Sequence, residues 1–66
     1  MEITCNGEKK EIPPATTLMS FIRDMDLNPD TVVAECDGNI IKRDAYDSLV
    51  LQEGNVLELI RFVGGG

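Results

Sequence analysis

The chain opens on an alternation of polar and apolar residues, Glu2-Ile3-Thr4-Cys5, with the two-residue period of a half-buried strand. Asn6-Gly7 interrupts it. Both residues tolerate the positive φ of a type I′ turn, so a hairpin is predicted, with Glu8 to Ile12 as the return strand and Pro13-Pro14 ending its ladder. The period then changes. Leu18, Phe21, Ile22 and Met25 recur at i, i+3, i+4 and i+7, one face of a helix, while Arg23, Asp24 and Asp26 fall mainly elsewhere. Thr16 or Thr17 supplies the N-cap hydroxyl, and Asn28-Pro29 supplies the stop, because a residue before proline is pushed out of the helical region.

Downstream, Thr31 to Cys36 is β-branched and strand-like, Asp37-Gly38 marks a turn, and Asn39-Ile40-Ile41 fits a short strand. Lys42-Arg43-Asp44 is polar, Ala45 to Ser48 fits one helical turn, and Leu49-Val50-Leu51 is brief and apolar. Glu53-Gly54-Asn55 turns the chain into a last strand, Val56 to Phe62, and Val63 leads into Gly64-Gly65-Gly66. The order is strand, strand, helix, strand, short strand, strand. A right-handed crossover through the helix returns the last strand beside the first and parallel to it. The expected class is α+β: a mixed sheet of four to five strands over one main helix, burying Leu18, Phe21 and Ile22. Residues 1–63 are expected to form a single domain and 64–66 a flexible tail, with no internal repeat, low-complexity segment or earlier linker.

Parity on the last strand separates Leu57, Leu59 and Arg61 from Val56, Glu58, Ile60 and Phe62. With Leu57 and Leu59 facing the helix, Ile60 and Phe62 face outward beside Glu58. They then read equally as scattered surface hydrophobes or as a docking patch, with Val63, directly before the tail.

Composition narrows the function classes. A chain of 66 residues buries only about 60% of its unfolded surface, leaving little volume for an internal catalytic pocket. Twelve acidic and six basic residues give a net charge of −6, with no histidine. Such a surface repels phosphate backbones and anionic membranes, disfavouring nucleic-acid and membrane roles, and it favours basic partner surfaces. The same acidity also serves solubility alone. Cys5 and Cys36 lack CxxC partners, so they make no zinc site. The start lacks a basic region followed by an apolar run, and no stretch approaches a membrane span, so reduced structural thiols in a cytoplasmic protein are expected.

The three final glycines carry the chemistry. Without a Cβ, their backbone can approach another surface closely and thread a narrow slot, and a terminal carboxylate is a group that partner proteins capture. The same glycines also fit a frayed terminus. In the company of this domain they carry a resemblance. From the Asn6-Gly7 hairpin to the end, the chain resembles the ThiS family of sulfur carriers of thiamine biosynthesis, within the ubiquitin-like (β-grasp) proteins. The resemblance is most specific at Lys42-Arg43, Tyr46, Leu51, Glu53-Gly54-Asn55, and from Leu57-Glu58-Leu59 through Phe62-Val63-Gly64-Gly65-Gly66. Family members commonly carry proline before the arginine, tryptophan near Tyr46 and aspartate after the Gly54 position. Here those places hold Lys42, Tyr46 and Asn55.

The resemblance implies a protein cosubstrate rather than an enzyme, monomeric when free. The Gly66 carboxylate would be adenylated by an E1-like (ThiF-like) adenylyltransferase and converted to a thiocarboxylate by a sulfur donor such as a cysteine desulfurase system. The sulfur would then pass to a ThiG-like thiazole synthase. Gly65 and Gly64 would give slot access, and Ile60, Phe62, Glu58 and Val63 would dock the partner. No cofactor or metal is expected on the chain; ATP and Mg2+ would belong to the activating partner. Alternatives of the same shape are the small subunit of molybdopterin synthase or another sulfur pathway, a ubiquitin-like protein modifier, and an interaction domain with an inert tail.

Overall fold

The computed structural model describes residues 1–62. Five strands, β1 (Glu2–Cys5), β2 (Glu8–Glu11), β3 (Val32–Cys36), β4 (Asn39–Ile41) and β5 (Val56–Arg61), form one mixed sheet in the order β2-β1-β5-β3-β4. Among the described residues a single α-helix, α1 (Leu18–Asp24), lies between β2 and β3 in sequence. β5 is central, parallel to β1 and antiparallel to β3. That is the parallel return beside the first strand that the strand order predicts.

Both tight turns take the expected geometry. Asn6 and Gly7 have φ of 51° and 82°, and Asp37 and Gly38 have 52° and 86°. These paired positive values suit the twist of the flanking strands. The alternation resolves as expected too: Ile3, Cys5, Val32, Ala34, Cys36, Leu57 and Leu59 are buried on one face of the sheet. There they meet Leu18, Met19, Phe21 and Ile22 of α1, with Tyr46 and Leu51 closing the cluster. Full burial of a leucine or phenylalanine side chain stabilises by roughly 1.5–3 kcal/mol, so the two-turn helix is held by its apolar stripe rather than by its length.

The start of α1 accounts for all its free amides. Thr17 is the N-cap, its Oγ1 accepting from Ser20 N at 3.1 Å, while Thr17 O accepts from Phe21 N. Leu18 N donates to Leu49 O and Met19 N to Tyr46 O, each at 2.9 Å. The 46–51 segment therefore closes over the helix start, tied also by a Thr17–Val50 bridge. This is why Met19 is buried although it lies outside the predicted stripe.

The helix ends earlier than expected. It stops at Asp24, with Asp26 at φ 61°, Asp26 N donating to Arg23 O and Leu27 N to Ile22 O. Those two bonds are a Schellman motif with aspartate in the left-handed position usually held by glycine. Asn28 instead caps a separate 3-10 turn, Pro29–Thr31, its Oδ1 accepting from Asp30 N at 2.9 Å. The helical turn expected at Ala45 to Ser48 falls at Arg43–Ala45, again as a 3-10 turn. Arg43 clamps the two 3-10 turns together, its Nε and a terminal nitrogen reaching Asp30 Oδ1 at 2.9 and 2.8 Å while its guanidinium lies 5.2 Å from the Tyr46 ring centre. Strand ends differ from expectation by single residues: β2 ends at Glu11, β3 starts at Val32, and β5 ends at Arg61.

A candidate docking face on the central strand

β5 is the strand from which the glycine tail continues, and side chains as well as ladders fix it. Past the end of β1, the Asn6 side chain takes the place of a strand. Its Oδ1 accepts from Leu59 N at 2.8 Å and its Nδ2 donates to Leu59 O at 3.2 Å. At the other end, Asp37 Oδ1 accepts from Val56 N and Asp37 Oδ2 from Asn55 Nδ2, both at 2.8 Å, and Asp37 N donates to Val56 O. Asn55, where the resembling family commonly has aspartate, thus brings a donor to a carboxylate. Phe62 N donates to Thr31 O at 2.8 Å, the last backbone bond described before residue 63.

Of the sequence-predicted site residues, Glu58, Ile60 and Phe62 come together on the outer face, with Ile60 51% and Phe62 60% exposed. Val63, Gly64, Gly65 and Gly66 lie outside the described residues. The face is wider than β5. Val33 stands opposite Ile60, Glu35 opposite Glu58, and Ile40 of β4, 72% exposed, opposite Glu35. Sequence reasoning missed Val33, Glu35 and Ile40. The parity of β3, with Val32, Ala34 and Cys36 inward, was the available signal; the opposition of Glu35 to Glu58 depends on register.

The thiols are no part of this surface. Cys5 and Cys36 both stand opposite Leu57, one on each side of β5. Two strand spacings separate them by about 9.5 Å, beyond the roughly 7 Å that a disulfide can bridge. Burial pushes both thiols above their ordinary value of 9.0; Asp37 adds to this at Cys36, whereas at Cys5 Lys10 opposes it and Glu58 and Glu8 add to it. They pack as small hydrophobes. Among the described residues no group of three or more Cys, Asp or Glu side chains is arranged to hold a metal ion, and no helix is long and apolar enough to cross a membrane.

A five-stranded mixed sheet over one helix, with its central strand leading into three glycines, defines a β-grasp domain of the ubiquitin-like class. The model of the ThiS family matches residues 1–66, and the chain belongs to that family. The crystal structure of the thiamine biosynthesis protein ThiS from Geobacter metallireducens superposes with a TM-score of 0.85 at 23% identity, each chain covered over 100% of its length. A solution structure of a thiamine biosynthesis protein from the same organism gives 0.79 at 25% identity, covering 100% of this chain and 88% of the other. Two curated relatives are named thiazole synthase. The one from Magnetococcus marinus is 33% identical over 66 residues and the one from Paramagnetospirillum magneticum 24%. The chain spans 20% of the length of either.

Proposed function

We propose that this chain carries sulfur for thiazole formation in thiamine biosynthesis, with Gly66 as the loaded residue. The observation that supports the reading best is the family match over the full 66 residues, glycines included. In the proposed cycle, an E1-like adenylyltransferase, using its own ATP and Mg2+, lets a Gly66 carboxylate oxygen attack the α-phosphate. Pyrophosphate leaves and an acyl-adenylate forms. A sulfide equivalent from the sulfur donor then attacks the acyl carbon, AMP leaves, and Gly66 ends as a thiocarboxylate. Activation is needed because a carboxylate expels oxide too poorly to be an acyl donor, whereas AMP is a good leaving group. Thiazole synthase is the proposed acceptor, a reading favoured by the two relatives of that name.

The chain's own contribution is positional. Gly64 and Gly65 leave the tail narrow enough for a slot, and Ile60, Phe62, Glu58 and Val63 dock the partner. Phe62→Ser should weaken binding to the adenylyltransferase without unfolding the domain, since Phe62 is exposed. The deciding test is intact mass after incubation with ATP, the adenylyltransferase and a sulfur source. Replacement of one oxygen by sulfur, absent when Gly66 is deleted, supports the carrier. Lysine conjugates with no such replacement would instead establish a protein modifier.

A further inference from the structure

The outer face of the sheet is charge-compensated on one half only. On the β1–β2 half, Lys9 stands opposite Thr4 and its Nζ lies 3.9 Å from Glu2 Oε1. On the β3–β5 half, Glu35 stands directly opposite Glu58. No ammonium or guanidinium lies within 4.0 Å of either carboxylate among the described residues, where the ion pairs are Met1 N with Glu11, Lys9 with Glu2, Lys10 with Glu8, and Arg43 with Asp30. Like charges directly opposite each other on paired strands work against the sheet. The two acids are also framed by exposed or half-buried apolar side chains: Ile40 beside Glu35, and Ile60 and Val33 in the next row. The face is thus an apolar surface with an unneutralised carboxylate pair at its centre, and Phe62, directly before residue 63, lies at its edge.

We propose that this face docks an apolar patch of thiazole synthase that projects one arginine between Glu35 and Glu58. The planar guanidinium offers donors on two sides and so can serve a carboxylate on each of two neighbouring strands, which a point-like ammonium does less well. The choice of occupant rests on the carrier reading above and on the two relatives named thiazole synthase, each of which contains a stretch similar to this whole chain. In this arrangement Glu35 and Glu58 oppose one another in the free domain and are neutralised together in the complex.

The test sets stability against affinity. Glu35→Gln, Glu58→Gln and the double variant are titrated against purified thiazole synthase from the same cell, and their urea midpoints are measured in parallel. Each single variant should bind about tenfold more weakly or worse, because one charge of a desolvated cluster is lost. The double variant should lose less than the product of the two, since both acids grip one cation. All three should be as stable as the wild type or more so. Glu58→Arg, which pairs with Glu35 within the chain, should raise the midpoint and abolish docking. Affinities within twofold of wild type overturn the proposal, as does a loss confined to the adenylyltransferase. Failure of the wild-type chain to bind thiazole synthase removes the partner assignment itself, and the clamp with it.

Discussion

Asn6 invites two accounts that a single substitution separates. As a turn residue it needs only to tolerate a φ of 51°, and glycine does that better. As a surrogate strand it holds both polar groups of the Leu59 peptide, at 2.8 and 3.2 Å. A side-chain hydrogen bond contributes about 1 kcal/mol net, so losing both costs about 2 kcal/mol. Glycine relieves any backbone strain but adds roughly 0.5–1 kcal/mol of chain entropy. These two terms roughly cancel, so Asn6→Gly is expected to lose about 2 kcal/mol. Asn6→Ala loses the same bonds and adds about 1 kcal/mol of left-handed strain. Asn6→Asp, which keeps the acceptor for Leu59 N, should fall between these and the wild type. For a domain of this size total stability is on the order of 3–10 kcal/mol, so the loss is a large share of it. With a urea slope of about 1 kcal/mol/M, the midpoint should drop by about 2 M. If Asn6→Gly loses less than about 1 kcal/mol, the surrogate-strand account is wrong and Asn6 is a turn former only.

Asp26→Gly should stabilise the domain by about 1 kcal/mol, by removing both left-handed strain and a negative charge from a helix C-terminus, and should raise the melting temperature by about 4–8 °C; an unchanged melting temperature would refute this. The buried thiols make stability depend on pH at the alkaline end. Burial raises both above 9.0, so the folded state keeps protons that the unfolded chain releases. Their contribution is constant below about pH 9 and is lost as pH rises through the folded values. Urea midpoints of the wild type should fall more steeply above pH 9 than those of a Cys5→Ala, Cys36→Ala double variant, and equal slopes would count against burial as the cause. Gly65→Val should leave the urea midpoint unchanged while blocking adenylation, read as pyrophosphate release by the adenylyltransferase; normal release would remove the slot argument.

Most of the architecture was legible because its signals are local. Two positive-φ turn pairs, a helical stripe and strand parity follow from neighbouring residues, and the final strand's parity placed Glu58, Ile60 and Phe62 on one face correctly. The errors occur where a distant partner decides. Asp26 substitutes for glycine in the helix cap, where partly buried Leu27 packs the motif against the core. Met19 is buried because the 46–51 segment folds back over the helix start. The contributions of Asn6, Asp37 and Glu35 appear only once register puts Leu59, Asn55 with Val56, and Glu58 beside them. Sequence alone marks the first two as turn residues and the third as surface charge.

The parallel pairing of β1 with β5 also has a mechanical side. Thr4 lies opposite Val56 and Cys5 opposite Leu57, with Thr4 N bonded to Asn55 O and Asn6 N to Leu57 O. Force applied between the N-terminal end of β1 and the C-terminal end of β5 slides these strands past each other, loading their bonds together in shear instead of peeling them one at a time. A pull on the chain end that is resisted at the start of β1 therefore meets the direction in which this strand pair yields least.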